Sequence, residues 1–220
     1  CIETIYIIQT NMKTNRDIDI VVYGATGFTG RLVAEYLNQT YGVDGDVKWA
    51  MAGRSTNKLI AVRDELDIAK NVPLIVANAD DLDSINSMVN QASVVLTTVG
   101  PYQLYGNELV AACAASGTDY VDLCGEPAWM HQMIAEHSAA AEESGARIVF
   151  SCGFDSIPFD LGVLFLQQHA ELELGSTVSR VKGRVRAMKG TMSGGTLASF
   201  RETMAAAGRD KNLISVLRNP

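Results

Sequence analysis

The sequence predicts an α/β protein: a doubly wound parallel sheet covered by helices on both faces, followed by the start of a second α/β domain. Three observations lead there. Short, continuous apolar runs alternate with helical patterns from Ile18 to Phe150. The first run enters three glycines, Gly24-x-x-Gly27-x-x-Gly30, and a helical pattern leaves them. Near Thr177 the pattern changes to alternation with period two.

The apolar runs are Ile18–Tyr23, Val47–Ala52, Leu74–Ala77, Val94–Val99, Tyr120–Leu123 and Ile148–Phe150. Continuous rather than alternating runs suit strands buried on both faces of a parallel sheet. Between them lie helices. Leu32, Val33, Tyr36 and Leu37 carry the first. Leu59, Val62 and Leu66 share a face, as do Leu82, Ile85, Met88 and Val89. Asn107–Ser116 is rich in Ala and Leu. Pro127–Ser144 runs from an N-terminal proline to Gly145, a C′ glycine. Right-handed crossovers put the C-terminal strand ends on one edge, where ligands bind.

Ser151–Gly162 reads as a loop, with Ser156 as N-cap and Pro158 in the first turn of a helix over Leu161–Gln168. Thr177–Met188 alternates as a half-exposed strand of a second domain, Gly190–Gly195 is a loop, and Thr196–Gly208 is a further helix. The expected organisation is a leader over residues 1–11, a Rossmann domain over 12–158 and the beginning of a substrate domain over 159–220. The leader reading rests on the opening CIETIYIIQTN, which begins with Cys, and on Met12-Lys13, which resembles a natural start.

The composition is ordinary for a globular chain of 220 residues, 47% hydrophobic and 20% charged. A net charge of −7 argues against a nucleic-acid partner. No run approaches the roughly 18 apolar residues of a membrane span. Cys1, Cys113, Cys124 and Cys152 show neither a C-x-x-C pair nor metal-ligand spacing, so free thiols in a reducing, cytoplasmic setting are expected, with no metal.

A strand, a glycine turn and a helix place backbone N–H groups and a helix N-terminus against a pyrophosphate. Thr26, Phe28 and Thr29 lie inside the turn; Thr29 reads as a hydrogen-bond donor to a phosphate, and Phe28 reads equally as a packing residue. At the end of the second strand a carboxylate would select an unphosphorylated ribose. Here stand Arg54 and Ser55. A guanidinium is a planar, permanent cation suited to a 2′-phosphate and to stacking on adenine, so NADP(H) is the expected cofactor. Asp80 reads either as an acceptor for the adenine amino group or as an N-cap together with Asp81. Gly100 and Pro101, with Tyr102 and Tyr105 following, stand where a nicotinamide ribose would lie. Asp122, Cys124 and Glu126 fall near the binding edge, where a carboxylate positions substrate, relays a proton, or caps the helix at Pro127. Cys124 has no neighbouring base to make it a nucleophile. His131, His137 and His169 lie singly on helices. No Walker lysine, G-x-S-x-G elbow or Tyr-x-x-x-Lys dyad occurs, which removes the short-chain dehydrogenases.

GATGFTG, AGRS, VGPY, YVDLCGE, GFDSIPFDLG and SGGT occur in this order. Together they resemble the saccharopine dehydrogenase-like oxidoreductases, a family that includes trans-acting enoyl reductases of lipid biosynthesis. The resemblance covers Asp17 to Arg209. It implies an NADP-type Rossmann domain and an α/β substrate domain with a mixed sheet. It also implies cofactor contacts at Gly24, Thr26, Gly27, Phe28, Thr29, Gly30, Arg54 and the Gly100-Pro101 turn. The activity implied is reduction of a C=C (enoyl) or C=N bond in a lipid-linked or small-molecule substrate; the alternative is a non-catalytic NADP-binding module of lipid metabolism. Peripheral membrane or lipid-droplet association and a homodimer are further expectations. The proton donor is open, with Tyr102, Asp122 and Asp155 as candidates by location. Family members are about twice as long, so most of a substrate domain is expected to be missing.

Overall fold

The computed structural model describes residues 16–43, 45–190 and 194–209. The expected leader, residues 1–11, lies outside them. Six parallel strands form one sheet in the order β3-β2-β1-β4-β5-β6. They are β1 (Ile18–Tyr23), β2 (Trp49–Gly53), β3 (Leu74–Val76), β4 (Ala92–Thr97), β5 (Asp119–Val121) and β6 (Ile148–Val149). The helices are α1 (Phe28–Tyr41), α2 (Thr56–Glu65), α3 (Leu82–Gln91), α4 (Tyr102–Tyr105), α5 (Asn107–Ser116), α6 (Pro127–Ser144), α7 (Ile157–Leu174) and α8 (Gly194–Arg209).

Successive strand residues face opposite sides of the sheet, and both sides are covered. Val22 and Met51 pack with Ala34 and Leu37 of α1 and Leu59 and Val62 of α2. Val21, Tyr23 and Val95 pack on the other side with Ile85 and Met88 of α3, Leu109 and Cys113 of α5, and Trp129 and Met133 of α6. This double burial is why the strands read as unbroken apolar runs. The chain leaves the central strand β1 towards β2 and β3 and later returns to its other side as β4. The strand order therefore reverses between β1 and β4, and a crevice opens at their C-terminal ends.

Two strands end where side chains intercept the backbone. β4 stops at Thr97: the Thr98 N–H still reaches the Tyr23 carbonyl (2.9 Å), but Val99 N–H turns back to Thr97 Oγ1 (3.2 Å). β5 stops at Val121, before Leu123, because the Asp122 carboxylate takes the next N–H groups. Leu82, expected on the inner face of α3, is exposed at the helix start.

Three expectations for the C-terminal part are corrected. Residues 157–160 are helical rather than loop. Pro158 sits in the first turn of α7, where its missing N–H costs no helix bond. The Ser156 backbone carbonyl, not its side chain, accepts from Phe159 and Asp160. Thr177–Met188 forms no strand. A strand needs a neighbouring backbone, whereas Val178 has both backbone groups paired with the Gln167 amide of α7, each at 2.8 Å. Gly194 and Gly195, expected in a loop, open α8; residues 191–193 lie outside the described residues.

Among the described residues no helix is long and apolar enough to cross a membrane. α7 nonetheless exposes many apolar side chains. Leu161, Phe165, Leu172 and Leu174 face outwards, and Ala170 is its buried residue.

Candidate cofactor and substrate clefts

The glycine turn sits on the crevice. Gly24 has φ +91°, and a Cβ on it would stand 2.7 Å from Thr98 Oγ1 and 2.8 Å from Val99 Cγ2. No side chain fits, so backbone lines the crevice here. The turn is tied to β2 through Gly24 N–H and Ala25 N–H, which donate to the Ala52 carbonyl (2.9 and 3.1 Å). α1 then starts with Gly27 as N-cap, no side-chain cap and no acidic residue in its first turn. Its leading N–H groups lack intrahelical acceptors, so they and the helix dipole are offered to an anion.

The three glycines differ in role. Gly30 is buried, and a Cβ on it would overlap the Gly24 backbone, so it lets α1 close on the turn. Gly27 stays at the surface of the turn, with its N–H on the Gly24 carbonyl (2.9 Å). Phe28 is 73% exposed, with its ring outside the core.

Two clefts meet over this turn. The first, of about 220 Å³, is lined by Gly24, Thr26 and Gly27 of the turn, Arg54 after β2, Asn78–Asp80 after β3, Thr98–Gly100 after β4, and by Tyr23 and Tyr105. Arg54 is exposed at its rim. Ser55 Oγ is engaged as the N-cap of α2, accepting from Lys58 N–H (3.4 Å). The two readings of Asp80 separate. Asp81 caps α3, taking the N–H groups of Asp83 and Ser84 (3.2 and 3.3 Å), while Asp80 lines the cleft.

The second cleft, of about 490 Å³, is shared by the sheet edge and α8. Thr29, Thr98, Gly100, Tyr102, Leu123, Phe154 and Asp155 line one side. Thr196, Ser199, Phe200 and Thr203 of α8 line the other. Thr98 and Gly100 belong to both clefts. Pro101, joined to Gly100 by a cis peptide, is buried behind them.

Two of the three proton-donor candidates are tied into the framework. Tyr102 is buried against Trp129 (ring centroids 5.5 Å apart); its hydroxyl donates to the Thr97 carbonyl and accepts from Leu123 N–H, both at 3.4 Å. Burial, reinforced by nearby Asp122, holds the phenol far above its ordinary value. Asp122 is 2% exposed and accepts three bonds, from Cys124 N–H (2.9 Å), Ser151 N–H (2.7 Å) and Tyr120 O–H (2.7 Å). Its pKa is raised because burial outweighs those bonds. Asp155 lies exposed at the mouth of the second cleft. The Cys124 thiol is pushed up by burial and by Asp122, which disfavours a thiolate.

Glu126 does not cap α6 with its side chain. Its carboxylate reaches back to α4 and accepts from Tyr102 N–H and Gln103 N–H, both at 2.9 Å. It thereby locks the loop after Gly100-Pro101 to the β5–α6 loop. Thr98 and the α8 side chains escaped the sequence reading. The place of Thr98 two residues before Gly100 was the available signal, and SGGT marked the start of α8 without a role.

The residues present fit a dinucleotide: a side-chain-free cradle at Gly24, an uncapped helix start, and a cation at the end of β2. Residues 20–149 match the saccharopine dehydrogenase NADP binding domain.

The chain belongs to the saccharopine dehydrogenase NADP-binding domain family.

Longer relatives agree with that membership. A Mycobacterium tuberculosis protein provisionally named a trans-acting enoyl reductase is 46% identical over 94% of this chain and 49% of its own length. A trans-acting enoyl reductase of Mycobacterium ulcerans is 42% identical over 94% of this chain and 50% of its own. The chain thus spans about half the length of the curated relatives it matches. Among solved structures, a saccharopine dehydrogenase (L-Glu forming) of Saccharomyces cerevisiae is similar over 69% of this chain and 31% of its own, at 16% identity and a TM-score of 0.48. The family match ends at the last residue of β6, so α7 and α8 lie beyond it.

Proposed function

We propose that this chain is the cofactor half of an NADPH-dependent oxidoreductase that reduces the C=C bond of an uncharged enoyl group. The observation that carries the reading is the composition of the second cleft. It shares Thr98 and Gly100 with the cofactor cleft, and its described lining is hydroxyl and apolar, with Asp155 as the one charged group. An amino-dicarboxylate, the substrate type of a saccharopine dehydrogenase, would call for cations to pair its carboxylates. Among the described lining residues there is no Lys, Arg or His. The names of the mycobacterial relatives point to the same chemistry.

Each group then has a task. Gly24, Thr26, Gly27 and the start of α1, with Thr29, hold the pyrophosphate. Arg54 pairs with the 2′-phosphate, and Asp80 accepts from the adenine amino group. Gly100 lets the nicotinamide ribose approach, with Pro101 behind it. Bound NADPH supplies a hydride to the β-carbon of the enoyl group. Leu123, Phe154 and Phe200 keep water from the reacting carbons. Tyr102 and Asp122 are held by the loops around them, which leaves exposed Asp155 as the candidate free to orient the group delivering the α-proton.

Residues 159–220 open the substrate domain in this reading. A contiguous exposed apolar stretch calls for a covering partner, and α7 exposes Leu161, Val163, Leu164, Phe165 and Leu166. The test is NADPH oxidation, followed by absorbance, in a protein carrying both halves as the relatives do. Enoyl thioesters are expected to be turned over, and imines formed from amino-dicarboxylates are not. Turnover of the latter alone would overturn the reading; binding without any turnover would favour a cofactor-sensing module.

A further inference from the structure

We infer that Ser199 is a catalytic residue of the second cleft, donating a hydrogen bond to the carbonyl oxygen of the enoyl group as it is reduced. The inference rests on the enoyl reading of that cleft.

α8 presents hydroxyls along one face. Thr196, Ser199 and Thr203 follow at i, i+3 and i+7, and all line the cleft opposite the sheet edge. Ser199 lies at the seam of the two clefts. A Cβ on Gly100, which belongs to both, would stand 3.7 Å from Ser199 Oγ. Ser199 is half-buried, and its hydroxyl holds no hydrogen bond among the described residues. Other hydroxyls around the cleft are engaged. Thr98 Oγ1 donates towards the Tyr23 and Gly24 carbonyls (3.4 and 3.3 Å), the Tyr102 hydroxyl donates to the Thr97 carbonyl, and Thr196 has a partner of its own. Thr29, in the first turn of α1, is assigned to the pyrophosphate in the proposed binding mode. Thr203 stands about one helical turn farther along α8 than the residue that approaches Gly100.

The chemistry asks for such a donor. Hydride from bound NADPH forms a C–H bond at the β-carbon. The C=C electron pair shifts towards the carbonyl, leaving an enolate with its charge on oxygen. The α-carbon then takes a proton from water and the carbonyl re-forms, with NADPH oxidised to NADP+. No Lys, Arg or His stands among the described lining residues, and the Asp155 carboxylate would repel an enolate. A neutral hydroxyl is left to meet the charge. A donor aimed at developing charge in a water-excluded site is worth far more than in solution. Ser199 is placed for this, because the carbonyl is conjugated with the carbon that receives hydride beside the Gly100 turn.

The experiment compares the protein carrying both halves with its Ser199→Ala and Ser199→Thr variants. It measures turnover of an enoyl thioester, NADPH affinity by fluorescence titration, and the infrared carbonyl stretch of the thioester bound beside NADP+. Alanine is the better helix former, so the fold is kept. Ser199→Ala is expected to lower kcat roughly 100-fold, the scale of one oxyanion donor, with NADPH affinity unchanged. Its carbonyl stretch is expected at higher wavenumber than in the wild type, since the hydrogen bond that weakens the C=O bond is gone. Ser199→Thr, which keeps the hydroxyl, is expected to retain the wild-type stretch and most of the turnover. The inference is overturned, with the enoyl reading intact, if Ser199→Ala keeps its turnover, loses NADPH affinity in parallel or leaves the stretch unmoved. Ser199→Thr as impaired as Ser199→Ala does the same. A wild-type protein inert towards enoyl thioesters overturns both.

Discussion

Asp122→Ala tests whether the buried carboxylate holds the framework or performs chemistry. The wild-type side chain accepts from Cys124 N–H, Ser151 N–H and Tyr120 O–H at 2.7–2.9 Å. These bonds fasten the end of β5 to the end of β6, with Cys152 N–H on the Asp122 carbonyl (2.6 Å) as a fourth tie. Alanine leaves three donors without their acceptor in a region 2% exposed at Asp122 itself. Each orphaned buried donor costs about 1–3 kcal/mol. Water entering the vacated space recovers part of that, so a net loss of about 4 kcal/mol is expected. Asp122→Asn keeps an oxygen for the two N–H groups and an amide for the Tyr120 oxygen, so its cost is about 1 kcal/mol or less. Urea unfolding followed by Trp49 and Trp129 fluorescence measures both. The pH dependence follows from the raised pKa. The folded state favours the protonated acid, so this contribution to stability is full below the ordinary value of 3.8 and is lost as pH rises through the folded value. The asparagine variant carries no such loss. It is therefore expected to compare best with wild type at neutral pH and worst near pH 3. An alanine variant within 1 kcal/mol of wild type, or an asparagine variant of unchanged stability whose turnover collapses, would refute the framework reading.

Gly24→Ala is expected to abolish cofactor binding and to cost about 2 kcal/mol or more, through its positive φ and the contact with Thr98; NADPH titration and thermal melts read both. Arg54→Ala is expected to weaken NADPH roughly 10- to 100-fold while leaving NADH unchanged, the scale of hydrogen bonds to a charged group. Glu126→Ala frees two N–H groups at the start of α4. It should lower stability by about 2–4 kcal/mol and, in a protein with both halves, depress turnover more than NADPH affinity, because the loop it holds follows Gly100. Equal losses in both would instead mean a general effect on the fold.

Much of this fold was legible because its signals are local. The run Ile18–Tyr23 reads as a buried strand from its own residues, and Asn107–Ser116 and Pro127–Ser144 read as helices with their boundaries. The glycine spacing marked the turn, and the residue after the second strand, Arg54, marked the rim of the first cleft. The reading failed where a partner distant in sequence decided the outcome. Thr177–Met188 has a strand's alternation, yet the Gln167 side chain takes the backbone groups of Val178. Glu126 precedes Pro127 as a capping residue would, yet its carboxylate turns to a helix that starts 24 residues earlier in the chain.

The sequence by itself determined the sheet, the glycine cradle and the cation at its rim, since periodicity, backbone freedom and charge are properties of neighbouring residues. Tertiary structure alone decided the duties of the polar side chains. Asp122 and Tyr102, candidate proton donors by location, are hydrogen-bonded to the loops on either side. Asp80 and Asp81, adjacent and alike in sequence, parted into a cleft group and a helix cap. The physical reason is that a carboxylate's role depends on which donors surround it. Here those donors come from segments that meet only when the strands line up.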